Sequence, residues 1–208
     1  MILEWATSFR CLRRNELTHP TCVYRRRIQY MSELIDFEDD VLDERKDMPS
    51  KRHSLTQTNL TVLLGNDERF STFVELSLDA TSIDLSQFGL KNRDEVIPDI
   101  CLYIDPPWFD DEPGDDEVRV TKMPECAIEV LSPTQAINDL LKKIKAYFAL
   151  GVRSSWLVMP ALEEIRVFSK KLRHYKNFDI NDSDVVDEIM DIRLPIQKVF
   201  RRPSNVAS

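Results

Sequence analysis

Two hydrophobic periods alternate along this chain, one of two residues and one near 3.6, and the switches between them mark its elements. From Pro49 to Gly65, the residues Leu60, Leu63 and Leu64 form one apolar face. Pro49-Ser50 is a start signal and Gly65 a stop, so the stretch predicts a helix. His53 lies seven positions before Leu60 and shares that face near the helix start. Phe73–Leu78 alternates and predicts a strand. Val96–Ile104 is apolar nearly throughout, the pattern of a strand covered on both faces. Pro98 inside it marks an edge, a bulge or a strand start. Pro124–Leu131 is a second such run. A helix should follow, with Ser132 as cap, Pro133 in the first helical position and Gln135 completing a capping box. Its apolar face is Ile137, Leu140, Leu141, Ile144 and Phe148, and Gly151 ends it. Ser155–Met159, Ile165–Phe168 and Arg173–Lys176 then predict a meander of strands, with Leu194-Pro195-Ile196 and Val199-Phe200 packing back onto the domain. Strands interleaved with helices in this order predict an α/β fold.

Composition narrows the class. The chain has 208 residues, enough for one domain with a real core. It is 42% hydrophobic and 31% charged, as soluble globular proteins are, and has no apolar run long enough to span a bilayer. Its four cysteines include no C-x-x-C pair, and Cys101 and Cys126 fall inside strand-like runs, so buried reduced thiols and a cytoplasmic location are expected. A net charge of -8 argues against a protein that coats nucleic acid by bulk electrostatics. It leaves a nuclease open, because a metal site needs carboxylates and only a local basic surface.

Charge is unevenly placed. Residues 1–30 hold Arg10, Arg13, Arg14, Arg25, Arg26 and Arg27 against Glu4 and Glu16, without a secretory signal pattern. They are expected to be a poorly ordered extension, with Met31 an alternative start. The segment from Met31 to Asp47 is acidic and reads as a solvated face or loop, as does the Pro-rich acidic loop at 105–118. Lys170, Lys171, Arg173 and Lys176 give one hairpin a basic surface, suited to phosphate or to protecting an edge strand. Residues 31–200 make the domain, and 201–208 a frayed tail.

The candidate chemistry is two acids in the two apolar runs. A charged Asp99 or Glu129 inside such a run needs a partner, whether a metal, a basic side chain or backbone donors. Lys143 lies on the next helix at the edge of its apolar face, and Tyr147, four residues on, shares that flank. Two carboxylates and a lysine on adjacent elements can hold a divalent ion beside a phosphodiester. For each residue a plain structural role stands beside this one: a paired buried acid, a packing histidine at His53, a lysine whose stem lies along the core.

The ordered set Met48-Pro49-Ser50 with His53, Pro98-Asp99-Ile100, Glu129-Val130-Leu131-Ser132-Pro133-Thr134, Asp139, Lys143, Tyr147, Gly151 and Trp156-Leu157-Val158 resembles the bacterial Uma-two family of restriction endonucleases. That family belongs to the PD-(D/E)XK nuclease superfamily, and the resemblance covers roughly residues 31–200. It implies a restriction-endonuclease-like α/β/α domain with a central mixed sheet, and Mg²⁺-dependent hydrolysis of DNA, with Mn²⁺ as a substitute ion. Asp99 matches the metal-binding aspartate and Glu129 the glutamate of the second motif, with the Val130 carbonyl as a further metal ligand. The superfamily lysine belongs two residues after that glutamate, where this chain has Leu131. The resemblance therefore transfers the role to Lys143, with Tyr147 and His53 in support. A non-catalytic member of the fold that binds nucleic acid or protein, and a structural homodimer with paired buried acids, are the competing readings. Dimerisation would also suit a double-strand cut by symmetry.

Overall fold

In the computed structural model, which describes residues 49–91, 94–107, 117–170 and 174–202, every described residue lies in one unit, Asp47–Ser208. The expectations for residues 1–30, the acidic segment from Met31, most of the 105–118 loop, Lys171, Arg173 and the end of the tail fall outside the described residues.

Helix α1 spans Lys51–Gly65. Ser50 starts it, its hydroxyl accepting from the His53 N–H at 3.2 Å. The strands are β1 (Ser71–Val74), β2 (Leu78–Asp79), β3 (Glu95–Val96), β4 (Ile100–Tyr103), β5 (Cys126–Val130), β6 (Ser154–Met159), β7 (Glu164–Ser169), β8 (Tyr175–Asp179), β9 (Asp184–Asp187) and β10 (Ile192–Pro195). Helix α2 (Ile137–Leu150) joins β5 to β6, and a short helix α3 (Ile196–Val199) follows β10.

Six strands form the central sheet in the order β1-β4-β5-β6-β7-β8. Only β5 and β6 run parallel, and the other neighbours are antiparallel. The parallel pair requires a crossover, which α2 supplies. β4, β5 and β6 are buried along their whole length, so successive side chains serve opposite cores. Ile100, Leu102, Cys126, Ile128, Val130, Trp156 and Val158 face one core, closed by Leu60 and Leu64 of α1 and by the β9–β10–α3 unit. Cys101, Tyr103, Ala127, Leu157 and Met159 face the other, closed by Leu140, Ile144 and Tyr147 of α2. The fold is α/β, with helices on both faces of a mixed sheet.

Several sequence expectations need correction. The predicted strand Phe73–Leu78 is two strands in different sheets, because Glu75 adopts a left-handed backbone (φ 52°) that turns the chain between β1 and β2. The run Val96–Ile104 likewise splits into β3 and β4, since Pro98 has no N–H for a ladder. The second helix begins at Ile137 and not at Pro133. Gln135 does accept from the Ser132 N–H at 3.2 Å, but the Ser132 carbonyl takes the Gln135 N–H, closing a tight turn before the helix. The tail folds back as expected, through Ile196, Val199 and Phe200, but also contains the β9–β10 hairpin that its mixed pattern hid.

That hairpin is pinned by Asp187, which is buried. Its carboxylate accepts from the Ser154 hydroxyl, from the Trp156 indole at 2.8 Å, and from the N–H groups of Ile189 and Met190 at 2.9 and 3.2 Å. A buried carboxylate with four donors is satisfied without a cation. Cys101 and Cys126 are buried free thiols, and burial pushes both far above the ordinary thiol range, which makes them inert. No helix among the described residues is long and apolar enough to cross a membrane.

Candidate active site

Pro98 ends the ladder just before β4, which leaves Asp99 at the mouth of the sheet rather than inside a strand. In β4 and β5, Ile100 pairs with Ile128. The ladder ends at that pair, and its register carried one residue further places Asp99 across from Glu129, whose side chain lies on the face that α2 covers. Both acids thus arrive at one point from neighbouring strands, the reason two apolar runs each carry a charge.

Glu129 is 1% exposed. Its carboxylate is held from above by two side chains one turn apart on α2. The Lys143 ammonium lies 3.1 and 3.3 Å from its two oxygens, and the Tyr147 hydroxyl donates to Oε1. Lys143 also donates to the Ile97 carbonyl at 3.0 Å, which ties the helix to the chain just before Asp99. Burial pushes the Glu129 carboxyl up to about 7. The Lys143 charge works against that rise, the Asp99 charge adds to it, and the hydrogen bonds from Tyr147 and Lys143 oppose it. Burial, and then the neighbouring Glu129 charge, also carry the Tyr147 hydroxyl well above its ordinary range, so it stays a proton donor.

Asp99 is engaged differently. Its Oδ2 accepts from the Val130 N–H at 2.6 Å and lies 3.5 Å from His53 Nε2. His53 is buried, and its Nδ1 has no hydrogen-bond partner among the described residues. The Asp99 carbonyl accepts from the Gln57 side-chain amide at 3.1 Å and from the Glu75 N–H at 3.3 Å.

The structure therefore brings Asp99, Glu129, Lys143, Tyr147, His53 and Val130 to one place. Gln57 and Glu75 were missed. Gln57 had a usable signal, since it sits four residues after His53 on the same helix. Glu75 had none, because its contribution is a main-chain N–H. Lys142 lies apart, paired with Asp139 at 2.7 Å.

Among the described residues, no group of three or more His, Cys, Asp or Glu side chains is placed to hold a metal ion. Two carboxylates fit Mg²⁺ or Mn²⁺, which take one or two protein carboxylates and complete their shell with water and phosphate oxygens. The Asp99 carboxylate accepts from the N–H of Val130, the residue after Glu129, and its charge adds to the rise of the Glu129 carboxyl, so the two acids are neighbours. Two surface grooves lie elsewhere. One, of about 300 Å³, is lined by His174, Tyr175 and Lys176 of the β8 edge, and one, of about 350 Å³, by Leu55, Val62 and Lys198.

Comparison with curated proteins gave no match. Among solved structures, the crystal structure of "a putative nuclease belonging to DUF820" from Anabaena variabilis is similar, with 23% sequence identity and a TM-score of 0.57, over 74% of this chain and 82% of that one. At that identity the likeness shows the fold. The family model described as Uma2, "putative restriction endonuclease", matches residues 30–196, and this chain belongs to that family.

Proposed function

We propose that the chain is a divalent-metal-dependent nuclease that hydrolyses phosphodiester bonds in DNA. The observation that carries the reading is the buried Glu129 carboxylate, set against Asp99 from the next strand and gripped by Lys143 and Tyr147 from one helix. Burying Glu129 beside a second, partly exposed acid is costly, and a divalent cation between the two would offset the repulsion that Lys143 alone leaves. The description of the family as restriction endonucleases supports DNA as the substrate.

Asp99 and Glu129 would hold Mg²⁺ or Mn²⁺, with the Val130 carbonyl as a further ligand. When bound, the ion lowers the pKa of coordinated water and offsets charge growing on the phosphate. Glu129 must be ionised to serve, which its raised value places above about pH 7. Lys143 supplies a fixed positive charge beside the two acids, where it can meet a phosphate oxygen as negative charge builds there. Tyr147 holds Glu129 in one orientation, and His53 does the same for Asp99. In the net reaction, water oxygen bonds to phosphorus, one P–O bond to the sugar breaks, and the departing oxygen takes up a proton.

The test is incubation of supercoiled and linear DNA with Mg²⁺ or Mn²⁺, comparing wild type with Glu129→Ala. Nicking or linearisation that disappears in the variant and in chelator is the expected result. Linear product without a nicked intermediate would point to two active sites in a two-fold dimer. Intact DNA, from folded protein that binds neither ion by calorimetry, would overturn the enzyme reading in favour of a binding module.

A further inference from the structure

We infer that Gln57 is a positioning residue for Asp99, acting together with the main chain of Glu75. The inference rests on the reading of Asp99 as a metal-binding acid. Asp99 stands where the sheet runs out. Pro98 stands before it, and the β4 ladder begins only at Ile100. The β4–β5 ladder stops at Ile100, and on the other side the Glu75 N–H continues the β1–β4 register by one pair to reach the Asp99 carbonyl. To that last sheet bond, at 3.3 Å, the Gln57 amide adds a second donor on the same carbonyl at 3.1 Å.

The side chain is fixed from the other end. Oδ2 takes the Val130 N–H at 2.6 Å and faces His53 Nε2 at 3.5 Å. Among the described residues, no hydrogen bond to Oδ1 occurs. Asp99 is thus clamped at both carbonyl and carboxylate, with one oxygen left for a cation. His53 and Gln57 lie one turn apart on α1, so a single helix grips both ends of Asp99. The same helix packs Leu60 and Leu64 into the core, which makes it a rigid mount.

Glu75 gives an independent sign. Its φ of 52° is uncommon for a residue with a side chain, and such strain concentrates at functional sites. Here the left-handed turn ends β1 and leaves the Glu75 N–H bonded to the Asp99 carbonyl. The contribution is the backbone shape, so the side chain is dispensable. Partners that orient a metal ligand typically matter about 10–100-fold in metal affinity, and that is the size of effect expected for Gln57.

The experiment compares wild type with Gln57→Met, which keeps the size and loses the donor, and with Gln57→Lys, which restores a donor of comparable reach. Two readouts are taken. In chelator, hydrogen exchange of the Val130 amide reports whether the Asp99 carboxylate is still in place. It should quicken about tenfold in Gln57→Met, relative to the other β5 amides, and recover in Gln57→Lys. By calorimetry, Mn²⁺ should bind Gln57→Met about 10–100-fold more weakly. The ion concentration for half-maximal cleavage should rise in step, while the rate at saturating ion changes little. Unchanged Val130 exchange in Gln57→Met, or unchanged Mn²⁺ affinity in a protein that binds the ion, overturns the inference. If wild type binds no Mn²⁺, the nuclease reading falls, and the Val130 exchange alone decides whether Gln57 positions Asp99.

Discussion

Replacing Glu129 with glutamine isolates the cost of the buried charge on which the site depends. The carboxyl titrates at about 7 in the folded chain against an ordinary value of 4.5, chiefly because it is buried. A raised carboxyl destabilises the fold as pH rises. Below pH 4.5 the group is protonated in both states and costs nothing. Between 4.5 and about 7 the unfolded chain releases its proton while the folded chain keeps it, so unfolding gains ground. Above about 7 the penalty is complete. At about 1.4 kcal/mol per pH unit, this comes to about 3 kcal/mol, of which about 2.5 kcal/mol falls between pH 5 and pH 8. Glu129→Gln mimics the protonated acid and still accepts from Tyr147. Urea unfolding in chelator should find the two proteins within about 1 kcal/mol at pH 5. At pH 8 the variant should be the more stable by roughly 3 kcal/mol. Saturating Mn²⁺ should restore stability to wild type alone, since only the ionised carboxylate gains from the ion. A constant separation of the two curves from pH 5 to pH 8 would refute the assignment of a high carboxyl value to burial.

Three further outcomes are expected. Lys143→Met should lower the cleavage rate roughly 10²–10³-fold. It should also move the rising limb of the pH–rate profile to higher pH, because the charge that holds the Glu129 carboxyl down is gone; Lys143→Arg should recover part of both. Asp187→Asn should cost about 2 kcal/mol in urea unfolding without affecting metal affinity, because an amide sets a donor against the donors of Ser154 and Trp156 far from the site. Gly151→Ala should lower stability by about 1 kcal/mol, seen as a lower Tm. Its φ of 102° is unfavourable with a Cβ, although no neighbour lies within 4 Å to clash with one.

Helix α1 and the end of α2 were legible because their signals are local. Ser50 and Gly151 act within a few residues of their own positions, and both sit where the pattern places them. The strands were legible as apolar runs but not in their breaks. At Glu75 and Pro98 the hydrophobic pattern continues while the backbone turns away. The start of α2 failed for a related reason. A serine followed three residues later by glutamine suits a capped helix, and it suits equally the tight turn that the chain adopts.

Two expensive acids in apolar runs, a helix between two strand-like runs, and a lysine and a tyrosine four residues apart are properties of the sequence alone. They suffice for an α/β domain and a short roster of candidate residues, because burial cost and helix period follow from residue type and spacing. Tertiary structure decided the rest. Strand register set Asp99 against Glu129, and helix packing brought Lys143 and Tyr147 over the pair. Donors from Gln57 and Glu75, 42 and 24 positions away in the chain, closed on the Asp99 carbonyl. Such contacts depend on which surfaces meet when the two cores close, and no local pattern encodes that meeting.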